Sequence, residues 1–420
     1  MKITHLSTSD LLGGAARAAY RLHSSLCKLG CQSRFLAQYK TSTDPTVTEF
    51  AVSTRAQVRL RRGLRRRYLA LSQRAIASLP PGATFFTDDR CQHGGDALAQ
   101  VPESDVLNLH WIAGFIDYRE FFRQVPVGLK VVWTMHDMNP FTGGCHYDAG
   151  CHRYRQRCGM CPQLGSTSPN DFSAQVWSRK KEAFSAPAVK HMHLVAPSRW
   201  LAGEARQSTL FSAFDVTVIP NGIDTDLFQP RDMRQAREQL RIPQASSVVL
   251  FVADSIVERR KGFSFLPEAL QSLKSNPDLY FLAVGRGASC VDLGPRVITL
   301  DYVCDERTLS DAYSAADLFV LPSVQDNFPN TALEALACGT PTVGFHVGGI
   351  PEIVRNDQTG ITVSLGDTQA LGKAIEALLG DPGRRATMSS NCRRVAVEEY
   401  SLKIQAERYI NLYEEMRRKN

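Results

Sequence analysis

Short apolar runs alternate with helix-period segments along nearly all of this chain. That alternation narrows the fold to parallel sheets covered by helices on both faces. Lys2–Leu6, Ser33–Gln38, Asp105–His110, Lys130–Met135 and His193–Ala196 read as strands of a first series, with a helix over Ala15–Leu29. A second series begins near Asp215, with strands over Asp215–Ile219, Ser247–Ala253, Leu279–Val284, Val297–Asp301, Asp317–Leu321 and Thr342–Phe345. Helical patterns fall between them at Phe265–Lys274, Glu306–Ala315, Thr331–Cys338 and Thr368–Leu379, and two more close the chain at Arg384–Tyr400 and Lys403–Lys419. At 420 residues, with 43% hydrophobic and 22% charged, each half is large enough to bury its own core. The expected class is α/β, built of two Rossmann-like parallel-sheet domains over residues 1–205 and 206–400, with a last helix over 401–420.

Several function classes drop out early. No run of 18 apolar residues predicts a membrane span. The N-terminus enters a strand pattern directly, without the apolar stretch of a secretion signal, so the cytoplasm is the expected compartment. No nucleic-acid-binding motif accompanies the net charge of +7. That charge is uneven. Between Glu49 and Asp88 there is no acid, while Arg55, Arg59, Arg61, Arg62, Arg65, Arg66, Arg67 and Arg74 fall in that interval. With Leu60, Leu64, Tyr68, Leu69 and Leu71 interleaved, Arg55–Arg74 reads as a basic amphipathic helix. It is suited to the anionic inner face of the plasma membrane, or is a solvated helix face.

In open parallel sheets, ligands bind at the carboxyl ends of the strands, where strand order reverses. After the first strand, Gly13-Gly14 opens a helix whose free amides suit a phosphate, or forms a tight turn that merely needs glycine. After Ser247–Ala253 come three adjacent cations, Arg259, Arg260 and Lys261, also suited to phosphate oxygens. After Asp317–Leu321, the loop carries Asp326 and Asn327, and Asn330 is expected to cap the next helix. Free amides at Asn330 and Thr331 can meet phosphates. Glu334, one turn further on, can join Asp326 in holding the hydroxyls of a polyol.

Here the chain resembles the retaining GT-B glycosyltransferases of the group 1, or family 4, type. Their frame stands as Pro322-Ser323, Asp326 and Glu334-Ala335-Leu336-Ala337-Cys338-Gly339-Thr340-Pro341. It is joined by Val347-Gly348-Gly349-Ile350-Pro351-Glu352, Ala196-Pro197-Ser198, Pro220-Asn221-Gly222-Ile223-Asp224 and Lys261-Gly262. The resemblance implies a GT-B fold: two domains facing each other across a cleft, with the C-terminal helix crossing back to the first. It implies a nucleotide-diphosphate sugar as co-substrate and no catalytic metal. Arg260 and Lys261 would bind the diphosphate with Gly14 opposite, Glu334 the ribose, and Asp326 and Asn327 the donor sugar. The base would lie near Asp301–Val303. Two departures stand out: Asp326 replaces the family's usual Glu, and Ala253-Asp254-Ser255 replaces its Gly-Arg pair.

Strand Lys130–Met135 delivers His136-Asp137 to its carboxyl end, and Asp105–His110 delivers His110. The resemblance places His136 beside the donor sugar, positioning and stabilising rather than acting as a base; from their positions at the strand ends, His110 and Asp137 are expected on the acceptor side. Directly after them, in the insert 143–162, stand Cys145, Cys151, Cys158 and Cys161. Thiolates at this density can wrap one structural Zn²⁺, with His146 and His152 as substitute ligands; two disulfides or free thiols are the alternatives. The insert is similar to one in bacterial exopolysaccharide transferases of the colanic acid type. The expected function is therefore hexose transfer to a glycan acceptor, lipid-linked, in surface polysaccharide assembly. A small soluble glycoside as product, or a non-catalytic sugar-binding protein, are the alternatives.

Overall fold

The apolar runs form two sheets in which every neighbouring pair of strands is parallel. The structure is a computed structural model and describes residues 1–77, 79–80, 83, 85–290, 293, 296–303 and 305–418. Two compact units divide the chain: Met1–Pro220 with the segment from Ala406 onward, and Asn221–Gln405.

In the first unit the strands are β1 (Lys2–Ser9), β2 (Gln32–Tyr39), β3 (Val47–Glu49), β4 (Val106–Leu109), β5 (Lys130–Thr134), β6 (His193–Ala196) and β7 (Val216–Val218). Their order is β3-β2-β1-β4-β5-β6-β7, so the direction of winding reverses between β1 and β4. One face packs an aromatic core in which the Trp133 ring meets Tyr118, Phe122, Phe184 and Phe211 at centroid distances of 5.5–6.0 Å. The other face takes Ala406, Tyr409, Leu412, Tyr413 and Met416 of the last helix, Leu402–Arg418, against Ile3, Val106, Val132 and Val195. Tyr413 OH accepts from Asn108 Nδ2 at 2.8 Å, and Tyr409 OH lies 3.0 Å from Thr134 Oγ1, which ties that helix to β4 and β5. Residue 419 of the helix expected over Lys403–Lys419 lies outside the described residues.

In the second unit the strands are β8 (Ser247–Ser255), β9 (Leu279–Arg286), β10 (Val297–Leu300), β11 (Leu318–Leu321), β12 (Thr342–Phe345) and β13 (Gly360–Val363). Their order is β10-β9-β8-β11-β12-β13, with the reversal between β8 and β11. β8 explains why a strand can be apolar at every position. Val248, Leu250 and Val252 enter one core cluster, while Val249, Phe251 and Ala253 enter the cluster on the other face. Each such Val or Leu contributes roughly 1.5–3 kcal/mol through burial.

Three expectations need correction. The domain boundary lies at Pro220 rather than 205, because Val216–Val218 adds to the first sheet through β6 instead of opening the second series. The return expected from 401 begins at Ala406: the chain passes to the first unit there, inside the last helix. The helix expected over Phe265–Lys274 is short, Leu266–Ala269, with Pro267 in its first turn and 3₁₀ turns on both sides.

Candidate active site

The second unit gathers its candidate groups at the carboxyl ends of β8 and β11, where the winding reverses. After β8 the chain makes a 3₁₀ turn, Arg259–Lys261, closed by Gly262 at φ 74°. A Cβ on Gly262 would lie 1.8 Å from the Pro322 carbonyl oxygen, so this turn can meet the end of β11 only with glycine there. Arg260 Nη1 donates to Gln325 O at 2.9 Å and stands 3.2 Å from Asp326 Oδ2. Lys261 Nζ donates to the same carboxylate oxygen at 2.8 Å. Burial would push the Asp326 carboxyl up, but the Lys261 ammonium and the Arg260 guanidinium outweigh it and hold the group below its ordinary value. The carboxylate and the two cations therefore form one charged cluster.

The backbone of that cluster is clamped from β12's side. Gly348, at φ 56°, would place a Cβ 1.9 Å from Asp326 O, and Gly349 N–H donates to that carbonyl at 3.1 Å. Asn327 is buried, and its N–H donates to Asp326 Oδ1 at 3.0 Å. Asn330 begins the helix Asn330–Ala337 with Pro329 in the cap position, so the expected cap residue sits one place inside. Its Oδ1 accepts from Asn221 Nδ2 at 3.3 Å. Thr331 follows in the first turn, and Glu334 is buried with Oε2 accepting from Tyr313 OH at 3.2 Å. At Asp301–Val303, the expected base region, the Tyr302 ring lies 4.9 Å beneath the Arg286 guanidinium.

In the first unit, Gly14 opens the helix Gly14–Lys28 behind Gly13, whose φ is 87° and where a Cβ would meet nothing within 4 Å. His110 follows β4, and His136 stands two residues past β5. The two imidazoles meet at 3.1 Å, His110 Nδ1 to His136 Nε2. A third, His5 of β1, continues the line at 2.9 Å, Nδ1 to His110 Nε2. Burial lowers all three, His136 to about 4 and the two inner rings well below the ordinary histidine value, so each is neutral near pH 7. Asp137 points its bonds elsewhere. Its Oδ2 accepts from Trp111 Nε1 at 2.9 Å and lies 2.6 Å from His146 Nδ1, and its Oδ1 accepts from Asn139 N–H at 2.8 Å. That carboxylate braces the loop that follows it.

The four-thiolate zinc site expected at Cys145, Cys151, Cys158 and Cys161 is not formed. The four residues line one pocket, yet among the described residues no three His, Cys, Asp or Glu side chains are grouped to hold a metal ion. All four are free thiols. The insert is ordered by packing and hydrogen bonds instead. Cys145 and Cys161 sit among Phe86, Phe172 and Val176, and Cys158 belongs to the main aromatic core. Gly143 N–H donates to Cys158 Sγ at 3.1 Å, Cys161 N–H to Asp171 Oδ2 at 2.7 Å, and Gln163 Nε2 to Tyr147 O at 2.6 Å. Beneath the insert, the fully buried Lys180 ammonium donates to the Asn139 carbonyl and lies 5.4 Å from the Tyr118 ring centroid.

Sequence reasoning missed His5, Tyr313 and Lys180. His5 sits inside a strand, Tyr313 in a helix apart from the quoted motif, and Lys180 in the helix Phe172–Ala183, for which no element was expected. The glycines at 348 and 349 were visible as a motif, but their clamp on Asp326 was not.

Comparison with known proteins agrees with this architecture. The family model described as Glycosyltransferase Family 4 matches residues 12–227, and that described as Glycosyl transferases group 1 matches residues 246–381. A D-inositol 3-phosphate glycosyltransferase of Xylanimonas cellulosilytica is 35% identical over 195 residues, covering 42% of this chain and 46% of the relative. The chain spans about half the length of the curated relatives it matches. Among solved structures, sucrose-phosphate synthase from Thermosynechococcus elongatus superimposes with a TM-score of 0.65 at 19% identity over 100% of both chains. Anabaena Alr3699/HepE, in complex with UDP-glucose, gives 0.63 at 16% identity over 99% of this chain and 100% of its own. Two Rossmann-like units of the GT-B kind, each with its candidate groups at the reversal of strand order, and a family match across more than half its length make this chain a member of glycosyltransferase family 4.

Proposed function

We propose that this protein is a retaining glycosyltransferase that moves a hexose from a nucleoside-diphosphate sugar to a glycan acceptor carried on a lipid, in surface polysaccharide assembly. The observation that carries the donor half is the Arg260–Lys261–Asp326 cluster followed on the next helix by buried Glu334. Two cations held in register by a carboxylate are preorganised for a diphosphate. They stabilise its charge most when it leaves, which is when the stabilisation accelerates transfer. Asp326 and Asn327 take the sugar hydroxyls, and Glu334 the ribose diol. No residue need act as a base, because the departing diphosphate accepts the acceptor's proton at the face of attack. His136, neutral by burial, positions and stabilises.

The acceptor half rests on the basic helix, Ala56–Ser72. It binds its own unit through Leu69, the one buried side chain among its described residues, and through Arg65, which pairs with Asp117 and Glu120 and donates to Cys91 O at 2.7 Å. Leu60, Leu64, Tyr68 and Leu71, 59–67% exposed, recur at spacings of four, four and three residues along one face. Leu60 and Leu69 are nine residues apart, about two and a half turns, so the leucines of this stripe point away from their own unit, while the Tyr68 ring lies 5.6 Å from the Arg90 guanidinium. Exposed Arg59, Arg66 and Arg67 accompany it. An apolar stripe among arginines fits the headgroup region of an anionic bilayer.

A second reading keeps the donor chemistry but transfers to a small soluble acceptor, as the name of the Xylanimonas relative suggests for that protein. One screen separates the two. Purified protein is offered a panel of donors, UDP-glucose among them, with either a lipid-linked glycan or a soluble polyol phosphate, and release of nucleoside diphosphate is measured. Turnover only with the lipid-linked acceptor supports the first reading; turnover only with the polyol phosphate replaces it with the second. No turnover with any donor would overturn both in favour of a non-catalytic sugar-binding protein.

A further inference from the structure

β1, β4 and β5 lie side by side in the first sheet; His110 and His136 follow the carboxyl ends of β4 and β5, and His5 lies midway along β1. Consecutive rings in the line His5–His110–His136 are tilted by only 28° and 29°, with centroids 5.1 and 5.4 Å apart, which suits ring-nitrogen hydrogen bonds. Each N···N contact needs one proton and one lone pair, and a neutral imidazole carries one of each. Two contacts among three neutral rings therefore leave two arrangements. In one, every N–H points inward, and His5 carries its proton on Nε2. In the other, every N–H points outward, and His136 carries its proton on Nδ1.

His5 decides between them. Its Nε2 is buried and has no hydrogen-bond partner. Around it stand the Phe35 ring and the edge of His23, whose own nitrogens are engaged by Ser33 and Thr46. The inward arrangement would strand an N–H there, and orphaned buried N–H groups are rarer than under-satisfied acceptors. The outward arrangement leaves only a lone pair.

We propose that His5 and His110 are positioning residues that fix His136 as its Nδ1–H tautomer, so that it presents a neutral hydrogen-bond donor and cannot accept a proton at that nitrogen. The functional half rests on His136 belonging to the active site of the proposed transferase; the tautomer itself does not. Other titratable groups near the line are His23, beside His5, and Asp137, whose charge favours protonation of His136 without overcoming burial.

The test is ¹⁵N NMR of the histidine rings in the full chain near pH 7. A protonated-type shift at His136 Nδ1 and a bare-type shift at Nε2 is the expected result. The reverse assignment, or protonation of both nitrogens, would overturn the inference whether or not the protein transfers sugar. His110→Leu, which removes the donor to His136 Nε2, should return His136 to a mixture of tautomers. It should lower kcat by roughly fivefold or more at unchanged donor KM. His110→Asn, which keeps an N–H near the Nδ1 position, should restore most of both. Loss of kcat in both variants with the wild-type shifts retained would assign His110 a packing role only and overturn its part. Should neither variant fold, the wild-type shifts still decide the tautomer. If the expected shifts are found in a protein that transfers no sugar from any donor, the proposed function fails and the tautomer stands.

Discussion

The two units use one architectural position in opposite electrostatic ways. Both hold their candidate groups at the carboxyl ends of strands where winding reverses. In the second unit the groups are charged, and charge is what aligns them: a buried carboxylate between two cations, its backbone clamped by glycines. In the first unit they are neutral imidazoles, stripped of charge by burial and aligned by ring-to-ring hydrogen bonds. The charged side suits a fixed anionic part of a substrate. The neutral side suits hydroxyl groups, which a full charge would bind without selecting direction. This contrast can be broken from either side.

The largest effect is expected at the charged cluster. Asp326→Ala leaves Arg260 and Lys261 without their carboxylate. Breaking one partner out of a buried pair costs about 3–5 kcal/mol. Amide hydrogen exchange in residues 221–405 should show most of that loss, with residues 1–200 unaffected, and transfer should fall by about a hundredfold or more. Lys261→Ala should weaken donor binding at least tenfold; wild-type donor affinity in that variant would detach the cluster from the donor. Next comes Gly262→Ala. A Cβ 1.8 Å from the Pro322 carbonyl, at φ 74°, demands a backbone shift and should cost more than about 1 kcal/mol, read as a lower denaturant midpoint of the second unit. A neutral outcome would mean that the turn is free to move and does not set the cluster's geometry.

Acid should separate the units by window. His23 and His136 are lowered by burial to about 4, and His5 and His110 are held well below the ordinary histidine value by the same cause. Below the ordinary histidine value of 6.5 the unfolded chain takes up protons that these folded sites refuse. Their stabilisation is therefore full above about pH 6.5 and is lost as pH falls towards 4. Burial lowers His93 in the same sense, while Asp89, which burial lifts to about 7, and Asp117, which burial also raises, act in the opposite sense. The second unit contains a single histidine, His346. Its Asp326 is lowered from 3.8, so that contribution survives until pH falls below the ordinary carboxylate range. All four tryptophans, Trp111, Trp133, Trp177 and Trp200, lie in the first unit. Their fluorescence should report acid unfolding at a higher pH than hydrogen exchange reports for residues 221–405. Coincident midpoints would show that the histidine line contributes little differential proton affinity.

The contrast also explains what could be read from sequence. The second unit's candidates sit in contiguous motifs, because a loop and the helix after it supply Asp326, Asn327, Asn330, Thr331 and Glu334 together. The first unit's line is assembled from three strands, so His5 lies 105 residues from the ring it touches and looks like one polar residue in a buried strand. Most central strands were legible from their apolar runs. β3 and β13 were not, being only 3 and 4 residues long at sheet edges. Val216–Val218 carried a strand pattern, but nothing local told which sheet it joins; its partner β6 decides that. The cysteine spacing suggested a metal because density of thiols was visible and the side chains of Phe86 and Phe172 that pack against them were not.

The smallest change in stability is expected where the proposed membrane contact is strongest. Leu60 and Leu64 already face away from the unit at 67% and 59% exposure, so replacing both with serine should shift folding stability by no more than about 0.5 kcal/mol. The same variant should bind vesicles rich in anionic lipid at least tenfold more weakly, since seating each leucine in a bilayer is worth roughly 1.5–3 kcal/mol. Arg59, Arg66 and Arg67 changed together to glutamine should weaken binding too, and only at low salt, because screening already removes their attraction at high salt. Arg65 is left out, since its pairing with Asp117 and Glu120 holds the helix in place and its loss would confuse attachment with docking. Binding that falls with the arginines but not with the leucines would reduce the helix to a charged surface. Binding unchanged in both variants would remove the lipid from the acceptor and leave the soluble-acceptor reading.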